Sequence, residues 1–287
     1  MAYLLALGSA LLYGAADFTG GLTTRRAGTI PVVVLSQASG LVLVALLLPL
    51  LPEASPSRGD MLWGIAAGLT GGIGVALLYR ALAIGIMAVV APTTAVCAVT
   101  IPVVTSVLLG ERPVPLAIAG IALGILSIVL VSQQRATDPA EAGDQPVRPR
   151  GAGVGIALVS GVAIGFFLLS LAQTKANAGM WPLLVSRSMS VLLFVAIALA
   201  GRISLRMPAP AARLALICGV MDMLANALYL LAGREGPLSI VVTLSSLYPA
   251  STVLLARVVL GERLNLLQIS GVGCALAAVV LIVSGGT

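Results

Sequence analysis

The chain contains no histidine, and only 9% of its 287 residues are charged. The first absence removes the commonest metal ligand and the usual neutral-pH proton carrier, and with them any Ser/His/Asp or Cys/His catalytic set. The second excludes a soluble fold. A soluble domain carries about 25% charged residues. Here 59% of residues are apolar and the mean hydropathy is +1.12, more apolar surface than a chain of this size can hide from water. Its solvent is therefore lipid. Aromatic residues are also scarce, at 4%, so the net charge of +6 does not describe a nucleic-acid surface. The basic residues sit between apolar runs, where they set membrane orientation. Cys97, Cys218 and Cys274 lie inside apolar runs without metal-ligand spacing and read as small packing residues. Gly71-Gly72-Ile73-Gly74 follows no strand and is not a phosphate loop. No nucleotide motif is present, so ATP is not expected as a direct energy source, nor is any cofactor.

What is present is a repeat. Leu109-Gly110-Glu111-Arg112 returns as Leu260-Gly261-Glu262-Arg263, 151 positions later. At the same offset, without a gap, Gly14 falls on Gly165, Thr23 on Thr174, Gly28 on Gly179, Pro31 on Pro182, Ser39 on Ser190 and Gly85 on Gly236. Such in-register anchors mark an internal duplication.

A membrane-spanning helix needs about 20 mostly apolar residues. Ten stretches qualify: 2–22, 30–51, 61–82, 86–108, 114–132, 152–173, 181–200, 212–232, 237–259 and 265–284. The fold class is thus an all-α integral membrane protein, ten transmembrane helices arranged as two five-helix repeats. Residues 1–132 form the first repeat, 133–150 a polar linker, and 151–287 the second. Five is odd, so the second repeat enters the membrane from the opposite side and the repeats are inverted. Secondary transporters share this plan, with substrate sites near the midplane between repeats. The N-terminus lacks the basic region of a signal peptide and reads as the first span. No soluble domain is expected at either end.

Arg25, Arg26, Arg135, Arg148, Arg150, Arg202, Arg206, Arg213 and Arg263 fall on one side; Arg58, Arg112, Lys175 and Arg234 fall on the other. The positive-inside rule puts the first side in the cytoplasm and both termini outside. Pro92 and Pro102 in the fourth helix and Pro249 in the ninth are expected to kink them. Gly120 and Gly124 form a GxxxG in the fifth, a helix-packing signal.

Charges deep in a membrane each cost about 2.5–3.5 kcal/mol and are functional candidates by default. Asp17, toward the end of the first helix, has Tyr13 and Gly21 on its face and is the candidate for proton coupling or cation recognition. A structural role near the interface is the alternative. Asp222, Asn226 and Tyr229 make a polar stripe on the eighth helix, which either lines a substrate cavity or joins helices. Arg187 on the seventh lies at a depth similar to that of Asp222. It either pairs with that carboxylate or binds an anionic group of the substrate. Ser239, Thr243 and Ser246 share one face of the ninth helix, and Thr93, Cys97 and Thr100 one face of the fourth. Such hydroxyls line a cavity or bond to their own backbones. Arg80 is expected to snorkel to the interface. Glu111 and Glu262, at the membrane surface, are expected to cap the N-terminus of the helix that follows each of them.

Two inverted five-helix halves, each with Leu-Gly-Glu-Arg closing its fourth helix, resemble the EamA-type members of the drug/metabolite transporter superfamily. Tyr13-Gly14 stands in the place of that family's Trp-Gly. Arg187 matches an arginine often found after the proline of the second helix; the first half has Ser36 and Gln37 there instead. The resemblance implies export or exchange of small metabolites, often amino acids, by alternating access and driven by ion gradients. It also implies cytoplasmic termini, against the charge count. The reading is an inner-membrane transporter whose partners are a small-molecule substrate, the bilayer, protons and a second copy in a homodimer, with no nucleic acid. An uncoupled facilitator and a structural or regulatory membrane subunit are the alternatives; an enzyme is not expected.

Overall fold

The computed structural model describes residues 1–108, 115–132, 153–235, 247–262 and 266–285, together with 241, 244, 245 and 264. Among these are ten α-helices: α1 (Ala2–Ala27), α2 (Thr29–Leu47), α3 (Arg58–Ile84), α4 (Met87–Leu108), α5 (Pro115–Ser132), α6 (Val154–Ala172), α7 (Trp181–Ala200), α8 (Ala209–Glu235), α9 (Tyr248–Leu260) and α10 (Leu266–Gly285). Six of them, α1, α2, α3, α6, α7 and α8, are long and apolar enough to cross a membrane by themselves. The other four contain shorter apolar stretches. Side chains such as Leu4, Leu46, Leu199, Val258 and Leu266 are more than 60% exposed, as befits surfaces wetted by lipid.

The helices interleave. Helix α1 packs on α8 and α9 of the other half, and α6 correspondingly on α3 and α4. Likewise α2 packs on α8 and α7 on α3, while α2 meets α7 and α5 meets α10 across the axis relating the halves. Side-chain bonds obey the same symmetry. Ser9 donates to the Ala225 carbonyl at 2.8 Å, and Ser160 to that of Gly74 at 2.7 Å. Ser245 donates to Ala6 and Thr94 to Ala157, at 3.4 and 3.3 Å. In each set donor and acceptor are both displaced by the repeat offset of 151. With no water in the bilayer core to satisfy hydroxyls, these bonds fix which helix meets which.

The anchors seen in the sequence now have reasons. Gly14 lets α1 approach α9: a Cβ there would strike the Ser251 side chain and the Tyr248 carbonyl. Gly165 serves the α6–α4 contact, against Ile101 and the Ala98 carbonyl. Ser39 and Ser190 each donate to a carbonyl of the opposite half, those of Leu216 and Gly68. Gly28 and Gly179 turn the chain between helices with φ of 78° and 58°, where side chains are strained. Overpacking a core costs about 1–3 kcal/mol, and at Gly14 the obstacle includes backbone. Gly14→Val is therefore expected to cost about 3 kcal/mol. Gly273→Val, which meets nothing within 4 Å, should leave the melting temperature in detergent unchanged.

The ninth span is interrupted at Pro249: residues 241, 244 and 245 are helical, Leu247 is a turn, and Pro249 lies in the first turn of α9, where its missing N–H costs nothing. Pro92 and Pro102 do lie inside α4. One expectation is corrected. Among the described residues, Glu262 caps a helix other than the one that follows it. Its carboxylate accepts from the Met87 and Ala88 amides, both at 3.1 Å, at the start of α4 in the other half. The interleaving brings the end of α9 against the start of α4, whose unpaired amides attract an anion more strongly than a local contact would. Glu111 lies outside the described residues, as do Gly110, Arg112 and Arg263.

Candidate functional site

Asp222 stands at the middle of α8, and Asp17 is ten residues from the end of α1, about 15 Å along its axis. Arg187 enters from α7 and binds the Asp222 carboxylate in an ion pair. Its other terminal nitrogen donates to Gln37 Oε1 on α2 at 2.6 Å. One guanidinium thus ties together α2, α7 and α8. The pairing realises the similar depths of Arg187 and Asp222. Gln37 is the addition, and its place in the first half beside the partner of Arg187 was the signal for it. A buried arginine without partners would be prohibitive in lipid; with a carboxylate and an amide it is accommodated. Arg187 is 8% exposed and Gln37 3%, and the guanidinium has Asp222 and Gln37 as partners.

Asp17 makes no ion pair or hydrogen bond among the described residues. Its carboxylate faces that of Asp222 closely enough to interact with it electrostatically. With Arg187 paired to Asp222, Asp17 is the carboxyl of the cluster without a cationic partner among the described residues. Tyrosines surround it. Tyr13 and Tyr248 meet edge to face with ring centroids 6.2 Å apart, and both lie within electrostatic range of Asp17. Tyr229 comes from α8, two turns from Asp222. Tyr13, Asp17, Asp222, Tyr229 and Tyr248 are only half-buried although they lie inside the bundle. Asn226 is 8% exposed and spends its amide N–H on the Asp222 carbonyl at 2.8 Å, within its own helix. Thr93 and Thr100 bond back to Val89 and Val96 in the same way. Thr243, Ser239 and Ser246 lie outside the described residues.

The cluster is sealed on one side. Toward the end of α1, Ala16, Phe18, Tyr79, Leu82, Met87 and Cys218 are buried in the largest core. The Tyr79 hydroxyl lies 3.1 Å from Cys218 Sγ, which donates to the Ala16 carbonyl. Beyond this layer, at the face of the bundle that carries the ends of α1, α3 and α9, comes a second closure. Arg25 donates to the Leu82 and Ala83 carbonyls at the end of α3, both at 3.1 Å, and its guanidinium stands 3.7 Å from Glu262. Glu262 in turn caps α4. Helix ends of both halves are thereby latched. The opposite face carries the start of α1 and the end of α10. Asp60 there closes a capping box with Ser57 and accepts from the Lys175 amide at 2.8 Å, joining α3 to the turn after α6. The Ser-x-x-Asp spacing was the local signal for that cap.

Two interleaved five-helix halves, with a polar cluster at mid-depth, match one family. The model of the EamA-like transporter family fits residues 1–133 and again 150–284. The chain belongs to the EamA-like transporter family. Members of the EamA-like family are membrane transporters of small solutes, not enzymes, and the apolar helices agree with a multi-pass protein in lipid. No match was found among curated proteins. Within the EamA-like halves, Glu262 belongs to the repeated Leu-Gly-Glu-Arg, and its work is to join one half to the other.

Proposed function

We propose that the chain is a secondary transporter of the cell's inner membrane. It exports a small metabolite, an amino acid or a related compound, by alternating access, and couples the export to protons at Asp17. The observation that supports this reading is the half-buried Asp17/Asp222 cluster, with a buried apolar layer between it and the latch face. A transport cycle needs a site that faces one side at a time, and inverted repeats are the plan on which such transporters are built. The charge of the cluster bears on what binds. Arg187 is taken by Asp222 and Gln37, so the unbalanced Asp17 favours an ammonium group. Tyrosine faces attract cations by about 0.5–2 kcal/mol each, depending on desolvation.

Asp17→Asn keeps the shape of the side chain and removes its charge. Proteoliposomes loaded with an amino-acid and amine panel, under an imposed pH gradient, test the proposal. Wild-type flux is expected to follow the gradient, and Asp17→Asn flux to lose at least about 90% of that response. Flux that ignores the gradient in both proteins would establish an uncoupled facilitator instead. Absence of flux for every compound would leave a structural or regulatory subunit as the better reading.

A further inference from the structure

Beside the Arg25–Glu262 latch lies a feature that transport at the central cluster does not use. A surface cavity of about 300 Å³ is lined by Thr24, Arg25, Thr29, Arg80, Ala83 and Ile84. Two of these are arginines, two carry hydroxyls and none is acidic. Arginine keeps its charge at any accessible pH, and its planar donors match the oxygens of phosphate. Arg80 projects from the exposed face of α3, at the same end of the bundle as Arg25. Thr24 is 7% exposed, and its Oγ1 is the one buried side-chain oxygen or nitrogen without a hydrogen-bond partner among the described residues. A buried hydroxyl at the wall of a cavity, left unpaired, has a reason when a polar ligand completes the site.

We propose that this cavity is an anion site that takes a phosphate group at the membrane surface, either the phosphodiester of an anionic lipid or a free phosphate. The site communicates with the latch because the two share Arg25. A bound anion and Glu262 draw on one guanidinium, so filling the cavity weakens the tie between α1 and α9. By linkage, opening the latch strengthens anion binding equally. The anion would thus favour opening the face that the latch closes.

The test uses the purified full-length protein in detergent, titrated with phosphatidylglycerol, phosphatidylcholine and inorganic phosphate. Binding is read by native mass spectrometry and by melting temperature. Phosphatidylglycerol or inorganic phosphate is expected to bind and raise the melting temperature; whichever does so identifies the source of the phosphate. Arg80→Gln should weaken half-saturation at least about tenfold, while Arg58→Gln at the opposite face leaves it unchanged. Arg80 is exposed, so its variant is expected to fold, and the mass spectrum of the folded fraction is independent of any stability change. Equal binding of phosphatidylcholine, no binding of either phosphate probe, or an unchanged affinity in Arg80→Gln would overturn the site. Coupling to the latch is read as faster maleimide labelling of Cys218 with the bound phosphate probe than without it; an unchanged rate overturns the coupling.

Discussion

Replacing Arg187 with methionine is expected to cost about 3–5 kcal/mol of stability, the penalty for removing one partner of a buried pair. The Asp222 carboxylate would lose its counter-charge, and Gln37 Oε1 its donor, in the middle of the bundle. The side chains of Arg187 and Asp222 are 10% and 17% exposed, so some water reaches the carboxylate and the lower end of that range applies. The melting temperature in detergent measures the loss. The double replacement Arg187→Met with Asp222→Leu is the informative companion. Exchanging both charges for apolar groups is often neutral or stabilising, so it should recover most of the lost stability. If the double variant is as unstable as the single one, the pair is not what holds α7 to α8. Transport should fall in the single variant, where the Asp222 carboxylate is left without its counter-charge beside Asp17, whereas the double variant keeps the net charge of the cluster.

The second large effect is expected at the latch. Glu262→Ala removes the acceptor of two amide bonds and the counter-charge facing Arg25. Hydrogen bonds to charged groups contribute about 1.5–3 kcal/mol net. That range corresponds to a shift of about 10- to 100-fold away from the state closed at this face. Cys218 is a built-in reporter. It is fully buried beneath the sealed layer, between Tyr79 and the Ala16 carbonyl. With Cys97 and Cys274 replaced by alanine, a membrane-impermeant maleimide applied from the latch face should label wild-type Cys218 slowly. In Glu262→Ala labelling should be about tenfold faster or more. Equal rates would mean that the apolar layer alone sets the closure. Glu262→Gln, which can still accept from one amide, should fall between the two.

Much of the plan was legible because a helix in lipid is a local object. Its length, its apolar run and its charges are set by consecutive residues, and a duplicated gene repeats them at a fixed offset. The anchors Gly14 and Gly165, Ser39 and Ser190, and Gly28 and Gly179 could be found without knowing what they touch. The opposition of Arg187 and Asp222 was also within reach, since two charges at one depth in a medium that tolerates neither alone will meet. The polar stripe Asp222–Asn226–Tyr229 was legible only in part. Spacing placed the three on one face, but not that Asn226 turns its amide back onto the helix.

The sequence alone therefore determined the solvent, the number of spanning stretches, the two halves and the charges that a membrane would force together. Only the tertiary structure decided which half each contact belongs to. Glu262 looks local, two residues past α9, yet it caps α4; Gln37 looks unremarkable, yet it completes the shell of Arg187. Tyr248 and Tyr13 are 235 residues apart in the chain and meet ring to ring. The physical reason is common to all three. Periodicity tells which face of a helix is polar, but the helix that receives that face is chosen by close approach at glycines and by hydroxyls that must find carbonyls in a medium without water. Those choices are made between the halves, where sequence distance carries no information.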